Sequence, residues 1–200
     1  CHELQKLLDD GEKLPFSYIQ ETLKIHLNDQ AYRQINYIEP EPIGVASLGQ
    51  VHRAVLNTGE VVAIKVQKPN IKARLKKDLK FLARASHITK FIPVINKLRL
   101  YVFIEEFCTF TLREIDYILE AHNMELFAET HKAIKDVYIP KVYWKFTNDT
   151  VLTTEFIEGI KLKDILNYIQ KNDTSNKFKV DNIEINKEKI VSICTNLIYQ

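Results

Sequence analysis

Small residues dominate one segment of the chain, and a lysine follows it at the end of the next apolar stretch. The segment contains Gly44, Val45, Ala46, Ser47, Gly49 and Gln50, and the lysine is Lys65. Small side chains let backbone N–H groups approach a polyphosphate, because larger ones would hold the phosphates away. An ammonium group would neutralise phosphate charge. The pattern predicts a phosphate-binding hairpin; the alternative is an ordinary β-hairpin with structural glycines and a surface lysine.

The spacing of these residues favours the phosphate-binding interpretation. Residues 44–51 read G-x-A-x-x-G-x-V, close to the glycine-rich loop G-x-G-x-x-G-x-V of protein kinases. The turn signal Asn-Thr-Gly follows at 57–59, and "VAIK" at 62–65 matches the kinase strand that ends in the phosphate-contacting lysine. Loop, turn and lysine therefore occur in the order of a kinase nucleotide site, with Ala63 and Lys65 on the lysine strand.

A lysine in this role needs a carboxylate partner on a helix. Residues 111–133 have apolar residues near helical spacing and predict one long amphipathic helix. On such a helix Asp116, Glu120 and Asn123 fall within an arc of about 60°, whereas Glu114 projects elsewhere. An acidic stripe of this kind predicts a partner for Lys65, and its alternative is a solvated helix face.

The remaining patterns predict an α+β protein in which strands and helices are segregated. A short helix is predicted over 13–27, strands at 43–56 and 60–67, and a basic helical stretch to about residue 90. A second strand pair is predicted over 137–146 and 150–159, then a short helix, a polar loop at 171–177 and a final helix.

Composition excludes several classes of function. The 28 basic and 26 acidic residues leave a net charge of +2, which does not indicate a nucleic-acid partner. The basic cluster at 65–80 could meet phosphates or lipid head groups, and its alternative is a solvated helix face. Three widely spaced cysteines predict neither a disulfide framework nor a zinc site. No apolar run is long enough to cross a bilayer. The chain starts without Met and stops within a helical pattern, so both ends are expected to be cut.

Beyond these patterns, the chain resembles the UbiB/ADCK family of atypical kinases. That family has an alanine-rich loop of the form "AAASIGQVH-A", and this chain reads "GVASLGQVHRA" followed by "VAIKVQKPNI". It also carries the E-x-D motif within "EIDYILEAHN", and "VYIPKVYW" and "VLTTEFIEGIKL" resemble the next strand pair and the hinge. Gly44 and Val45 replace two of the alanines. Because glycine frees the backbone, this loop is expected to bind ATP more strongly than an all-alanine loop.

The resemblance implies a protein-kinase-like fold and a set of site residues. Lys65 would contact nucleotide phosphates and pair with Glu120, while the loop from Gly44 to Gln50 would cover those phosphates. The hinge would run from Glu155 to Ile157, with Thr154 as the gatekeeper behind the adenine. Glu114 and Asp116 would form the acidic E-x-D pair, which in the family meets a lysine of a K-x-G-Q element that this chain lacks.

The resemblance also implies an organisation into lobes. Residues 1–40 would be a helical extension, 41–157 the amino-terminal lobe with a helical insert at about 68–100, and 158–200 the start of the helical carboxy-terminal lobe. The catalytic-loop and metal-binding acids of kinases do not occur in this sequence, so no metal ligand is assigned within it. Magnesium ligands would follow downstream.

The function implied by the resemblance is that of a kinase or ATPase supporting ubiquinone biosynthesis. The full-length protein would bind ATP and Mg²⁺ and transfer or hydrolyse the γ-phosphate. Its partners would be a lipid or quinone precursor and ubiquinone-biosynthesis proteins, with peripheral association at the mitochondrial inner membrane. Two alternatives stay open: a pseudokinase-like scaffold without turnover, and a lobe of a conventional protein kinase. The long insert between Lys65 and Glu120 disfavours the latter.

Overall fold

A computed structural model describes residues 13–46, 48–88, 100–172, 177–180 and 183–199 of the chain. The helices are α1 (Phe16–His26), α2 (Asp29–Tyr32), α3 (Ile71–Ile88), α4 (Leu100–Glu114), α5 (Tyr117–Thr130), α6 (Leu162–Asn172) and α7 (Lys187–Tyr199). The strands are β1 (Ile35–Ile38), β2 (Gly44–Val45), β3 (Gly49–Leu56), β4 (Val61–Gln67), β5 (Val151–Glu155), β6 (Lys177–Val180) and β7 (Ile183–Asn186). This composition confirms the predicted α+β class.

The chain divides into two compact units. The first contains Cys1–Phe127 and Pro140–Phe156, and the second contains Ala128–Ile139 and Ile157–Gln200. The first unit is built on an antiparallel sheet in the order β1-β3-β4-β5, with β2 pairing with the other end of β3. The second contains the antiparallel hairpin of β6 and β7 together with helices α6 and α7.

The hairpin of β3 and β4 determines which residues share a face of the sheet. Its turn at 57–59 was predicted, and Gly59 has the positive φ of 89° that this turn requires. Val51 pairs with Lys65, which in turn pairs with Leu152 of β5. Since side chains alternate along a strand, Lys65 shares its face with those two partners, and Val66 points to the other side.

Helix α1 covers the face of the sheet that lies opposite Lys65. It begins after Pro15, a residue that is tolerated at a helix start because it lacks an N–H donor. Its apolar residues Ile19 and Leu23 are fully buried. They belong to one core cluster with sheet residues that include Ala54, Val62, Ile64, Val66 and Val151. The predicted helix at 13–27 is therefore confirmed, and it fixes the orientation of the sheet.

The single long helix predicted over 111–133 is wrong. Helix α4 ends at Glu114, and α5 begins at Tyr117. The side chain of Asp116 accepts a hydrogen bond from the backbone N–H of Leu119 at 3.1 Å, as a residue at a helix N-terminus does. Gln67 of β4 donates to the carbonyl of Ile115 at 2.7 Å, which holds the break against the sheet. Asp116 therefore lies outside the helix that carries Glu120.

The first strand of the predicted second pair is also wrong. Over 137–146 the chain has only an isolated bridge between Val142 and Thr154, followed by a 3₁₀ turn at Trp144–Phe146. The hydroxyl of Thr153 donates to the carbonyl of Phe146 at 2.8 Å, and that of Thr147 donates to Tyr143. These local bonds favour a turn over a strand. The second strand of the pair is present as β5.

The second unit differs in part from the sequence expectation. Helices α6 and α7 occur where helices were predicted. The hairpin of β6 and β7 was not predicted. Residues 173–176, the centre of the predicted polar loop, lie outside the described residues.

Candidate functional site

Lys65 of the sheet and Glu120 of α5 form a bidentate ion pair. Lys65 Nζ donates to Oε1 of Glu120 at 2.9 Å and to Oε2 at 2.8 Å. Their side chains are 29% and 37% exposed, so the pair sits at the edge of the solvent. A cation held there in one position is able to neutralise the charge of an incoming phosphate. The sheet supplies the lysine, and the first turn of a short helix supplies its carboxylate.

Tyr117 lies beneath this pair and was not among the predicted site residues. Its ring centroid is 4.6 Å from Lys65 Nζ, a distance at which the ring face attracts the cation. The side chain is fully buried, and its hydroxyl has no hydrogen-bond partner among the described residues. Burial and, secondarily, the charge of Glu120 raise the pKa of this hydroxyl, so it stays a donor. Tyr117 precedes Glu120 by one helical turn, which is the signal that would have found it.

Gly49 packs directly against this tyrosine. A Cβ atom at Gly49 would lie 2.6 Å from the Tyr117 hydroxyl and 2.7 Å from the backbone oxygen of Val66. Real Cβ atoms do not approach this closely, so Gly49 is required for contact between the loop and α5. At Gly44 a Cβ atom would meet nothing within 4 Å. The two loop glycines therefore have different structural roles.

On either side of Ser47, the predicted loop forms a short antiparallel strand pair. Gly44 and Val45 pair with Val51 and Gln50, and the backbone N–H of Ala46 donates to the carbonyl of Gly49 at 2.8 Å. Gly44 and Ala46 are exposed, and Val45 is half-buried. Ser47 lies outside the described residues. This arrangement brings small residues over the end of the hairpin that carries Lys65.

Gln50 requires a correction to the sequence prediction. Its partner across the hairpin is Val66, so its side chain projects from the face opposite Lys65. The side chain is fully buried; Oε1 accepts from the backbone N–H of Leu14 at 2.8 Å. Nε2 lies 2.8 Å from Nε2 of His52. The side chain of Gln50 therefore holds the amino-terminal segment against the sheet, and only its backbone remains beside the loop.

The buried ring of His52 makes the stability of this arrangement depend on pH. Its Nδ1 lies 2.7 Å from the carbonyl of Glu39, and its other nitrogen faces the amide of Gln50. The amide donates to one nitrogen and the carbonyl accepts from the other, so this geometry suits the neutral ring. Burial lowers the pKa of His52 from its ordinary 6.5, although the bond to Glu39 opposes the shift.

We expect the free energy of unfolding to fall as the pH drops below 6.5. Above that value both states are neutral at His52, whereas below it the unfolded chain takes up a proton that the folded chain resists. The slope contributed by one such group is at most about 1.4 kcal/mol per pH unit. Urea unfolding between pH 5 and 8 would measure it. His52→Gln should remove that contribution, and the exposed His87→Gln should retain it; equal slopes in all three proteins would contradict the assignment.

The predicted hinge begins at Glu155, the last residue of β5, and the predicted gatekeeper Thr154 lies within that strand. Thr154 pairs with Ala63 across the sheet, on the face that carries Lys65. The backbone N–H of Glu155 donates to the carbonyl of Lys141 at 2.8 Å, and that of Phe156 donates to Val61 at 3.1 Å. Ile157 is 46% exposed. Adenine contacts at Glu155 and Ile157 remain a prediction.

The two acids of the E-x-D motif are placed differently from Glu120. Glu114 is the exposed last residue of α4, and Asp116 caps α5. Neither carboxylate contacts Lys65 in the described part of the chain. Within that part, no group of three or more His, Cys, Asp or Glu residues is arranged to hold a metal ion. None of the helices described has the length and apolarity needed to cross a bilayer.

Comparison with known protein families shows to which family the chain belongs. The family model described as "ABC1 atypical kinase-like domain" matches residues 6–198. The chain belongs to the ABC1 family. The resemblance to UbiB/ADCK kinases is thereby confirmed, because ABC1 relatives include the AarF domain-containing kinases. AarF domain-containing kinase 1 of Drosophila melanogaster is 31% identical to this chain, and the match covers 84% of this chain.

Further ABC1 relatives come from photosynthetic organisms. An uncharacterised protein of Synechocystis is 41% identical over 168 residues, 81% of this chain and 29% of the relative. The chloroplastic protein ACTIVITY OF BC1 COMPLEX KINASE 8 of Arabidopsis thaliana is 37% identical over 82% of this chain and 22% of the relative. The fly kinase is covered over 32% of its length. The chain thus spans between a fifth and a third of these relatives.

The kinase-like fold is supported by a solved structure. A chain in the complex structure of Rv3197 with erythromycin, from Mycobacterium tuberculosis, matches with a TM-score of 0.62 and 28% sequence identity. The match covers 78% of this chain and 39% of that one. The predicted kinase-like α+β fold is therefore confirmed.

Replacing Tyr117 with phenylalanine is expected to stabilise the ABC1 chain by about 1 kcal/mol. The change removes a buried hydroxyl that lacks a partner among the described residues and retains the ring beneath Lys65. Chemical denaturation of both proteins would measure the difference. Tyr143→Phe is a suitable control, because its hydroxyl donates to the exposed Glu60 at 2.9 Å and its loss should not stabilise. A clear destabilisation by Tyr117→Phe would show that the hydroxyl has a partner in solution.

Proposed function

We propose that this chain contributes the phosphate-binding part of a nucleotide site and that its ligand is ATP. The observation that carries the proposal is the bidentate contact of Lys65 with Glu120. It holds a cation at the end of β4 beside a loop of small residues. The ring of Tyr117 supports the same cation from below. A phosphate that approaches Lys65 would meet a charge already fixed in position, which reduces the cost of ordering the side chain on binding.

Among the residues that the structure describes, the side chains fit ATP in part and do not fit Mg²⁺. Lys65 would contact the phosphates, the backbone of residues 44–50 would cover them, and Ala63 and Thr154 would lie toward the base. No cluster of metal ligands occurs among the described residues, so no step through a metal is assigned to this chain. We propose that the full-length protein transfers or hydrolyses the γ-phosphate, as the kinase names of ABC1 relatives suggest.

The ubiquinone link is a finer prediction and rests on the family resemblance alone. Quinone precursors, ubiquinone-biosynthesis proteins and the mitochondrial inner membrane would be the partners and location. Relatives of this chain include cyanobacterial and chloroplastic proteins, so the family is not confined to mitochondria. Loss of ubiquinone after deletion of the gene, with rescue by the intact protein, would support this prediction. Unchanged ubiquinone levels would contradict the predicted role in ubiquinone biosynthesis and would not affect the proposal that the chain binds ATP.

Titration with ATP and with adenosine tests the proposed site directly. If Lys65 contacts the phosphates, ATP should bind at least tenfold more tightly than adenosine, because charged hydrogen bonds contribute about 1.5–3 kcal/mol. Isothermal titration calorimetry of the purified protein at fixed ionic strength would measure both affinities. Equal affinities, or no saturable ATP binding at millimolar concentration, would contradict the proposal. Binding without turnover in the full-length protein would instead favour the pseudokinase-like alternative.

A further inference from the structure

A cavity lies in the first unit, between α1 and the segment that joins β4 to α3. Its volume is about 400 Å³. Thr22 and His26 of α1 line one side, and Lys68, Asn70 and Lys72 line the other. Helix α1 covers the sheet face opposite Lys65, so this cavity is separate from the proposed nucleotide site.

The hydroxyl of Thr22 lacks a partner although the residue is almost completely buried. Thr22 is 5% exposed and lines the cavity, and its side chain makes no hydrogen bond among the described residues. The hydroxyls of Thr109 and Thr111 in α4 behave differently: each donates to the carbonyl four residues earlier. The only fully buried hydroxyl without a partner among the described residues is that of Tyr117, so the Thr22 hydroxyl is open to the cavity and able to donate to a ligand there.

The cavity also receives the N-terminus of α3. The backbone N–H of Ile71 donates to the carbonyl of Lys68, and that of Arg74 donates to the carbonyl of Asn70. The two amides between them, those of Lys72 and Ala73, have no backbone acceptor among the described residues, and both residues line the cavity. Free amides at the start of an 18-residue helix favour a bound anion.

Positive side chains accompany these amides. Lys68 makes no ion pair in the described part of the chain, and Lys72 contacts Asp149 at 3.1 Å. Asp149 does not line the cavity. The lining thus has a positive charge that Asp149 offsets only in part. Lys76, Lys77 and Lys80 lie farther along α3 and are exposed, as the solvated-face interpretation of the basic cluster predicts.

We propose that this cavity binds the phosphate group of an anionic organic ligand. The phosphate oxygens would accept hydrogen bonds from the amides of Lys72 and Ala73 and from the Thr22 hydroxyl, and Lys68 would neutralise the charge. The apolar side chains of Ile25, Pro69 and Ile71 also line the cavity and would contact the organic part. A soluble phosphate ester and the head group of a phospholipid share this chemistry.

The experiment uses two probes so that these two sources are distinguished. Glycerol 3-phosphate would be titrated into the purified protein by NMR or calorimetry, and co-sedimentation would be measured with vesicles of phosphatidylcholine with and without phosphatidic acid. We expect binding of at least one probe that Lys68→Gln weakens at least fivefold and that Thr22→Val also weakens. Binding of glycerol 3-phosphate alone identifies a soluble ligand. Binding of phosphatidate vesicles that glycerol 3-phosphate displaces identifies a head group.

Two control variants separate this site from other charges. Lys76→Gln changes an exposed lysine of the same helix and should leave binding unchanged. Lys65→Ala should also leave it unchanged, because Lys65 lies on the opposite face of the sheet. The proposal is overturned if neither probe binds, if Lys68→Gln and Lys76→Gln weaken binding equally, or if Lys65→Ala removes it. The last result would assign the phosphate to the proposed nucleotide site.

Discussion

Replacing Lys65 with alanine is expected to remove almost all stabilisation of the protein by ATP. At a ligand concentration of 100 times Kd, ATP should raise the free energy of unfolding by about 2.7 kcal/mol. Loss of the charged contact should weaken affinity by about 100-fold, which leaves about 0.4 kcal/mol at the same concentration. The basal stability should fall by only about 1 kcal/mol or less, because the pair with Glu120 is partly exposed. Thermal unfolding with and without ATP would measure both quantities.

Lys24→Ala is the matched control for this variant. Lys24 also lies near a tyrosine ring, with Nζ at 5.8 Å from the centroid of Tyr32, but it belongs to α1 on the opposite face of the sheet. Its removal should leave the ATP-dependent shift unchanged. If Lys65→Ala keeps the full shift, Lys65 does not contact the nucleotide, and the proposed function loses the observation that carries it.

Gly49→Ala is expected to destabilise the first unit by about 1–3 kcal/mol. The added methyl group would lie 2.7 Å from the backbone oxygen of Val66, in the central strand pair of the sheet, where relaxation requires movement of the backbone. It would also push Tyr117 away from the loop and disturb the ring that supports Lys65. Both the unfolding free energy and the ATP affinity should therefore fall, which urea denaturation and calorimetry would record.

Gly44→Ala is the control for that substitution and a test of the loop. A methyl group at Gly44 meets no atom within 4 Å, so stability should change by less than about 0.5 kcal/mol. Alanine restricts the backbone, and the family's loop has alanine where this chain has Gly44. ATP should therefore bind about two- to fivefold less tightly to the variant. Equal destabilisation by the two variants would contradict the packing at Gly49. Unchanged or tighter ATP binding by Gly44→Ala would contradict the expectation for the loop.

The sequence predicts most of the first unit because local signals and pairing agree there. The Asn-Thr-Gly turn and the alternating strands specify the hairpin of β3 and β4, and α1 follows from an amphipathic pattern after a proline. Lys65 and Glu120 were paired by analogy with kinases, and the structure brings them into contact. Their assigned roles toward a nucleotide await the experiments above.

Other features depend on contacts that a linear pattern does not contain. The family resemblance assigned Gln50 to the loop, yet strand alternation turns its side chain toward Leu14. The break between α4 and α5 was missed because apolar residues continue at helical spacing across it. The signal was Asp116, which precedes an apolar run and acts as a cap. The role of Tyr117 depends on Gly49, a residue distant in sequence.

The interruption at Ile115 and Asp116 separates two structural tasks. Helix α5 starts afresh at its own cap, and the connection before it is fastened to β4 through Gln67. The position of Glu120 is thus set by the sheet and not by the length or tilt of α3 and α4. A change in the length of α3 or α4 should therefore leave the carboxylate of Glu120 beside Lys65.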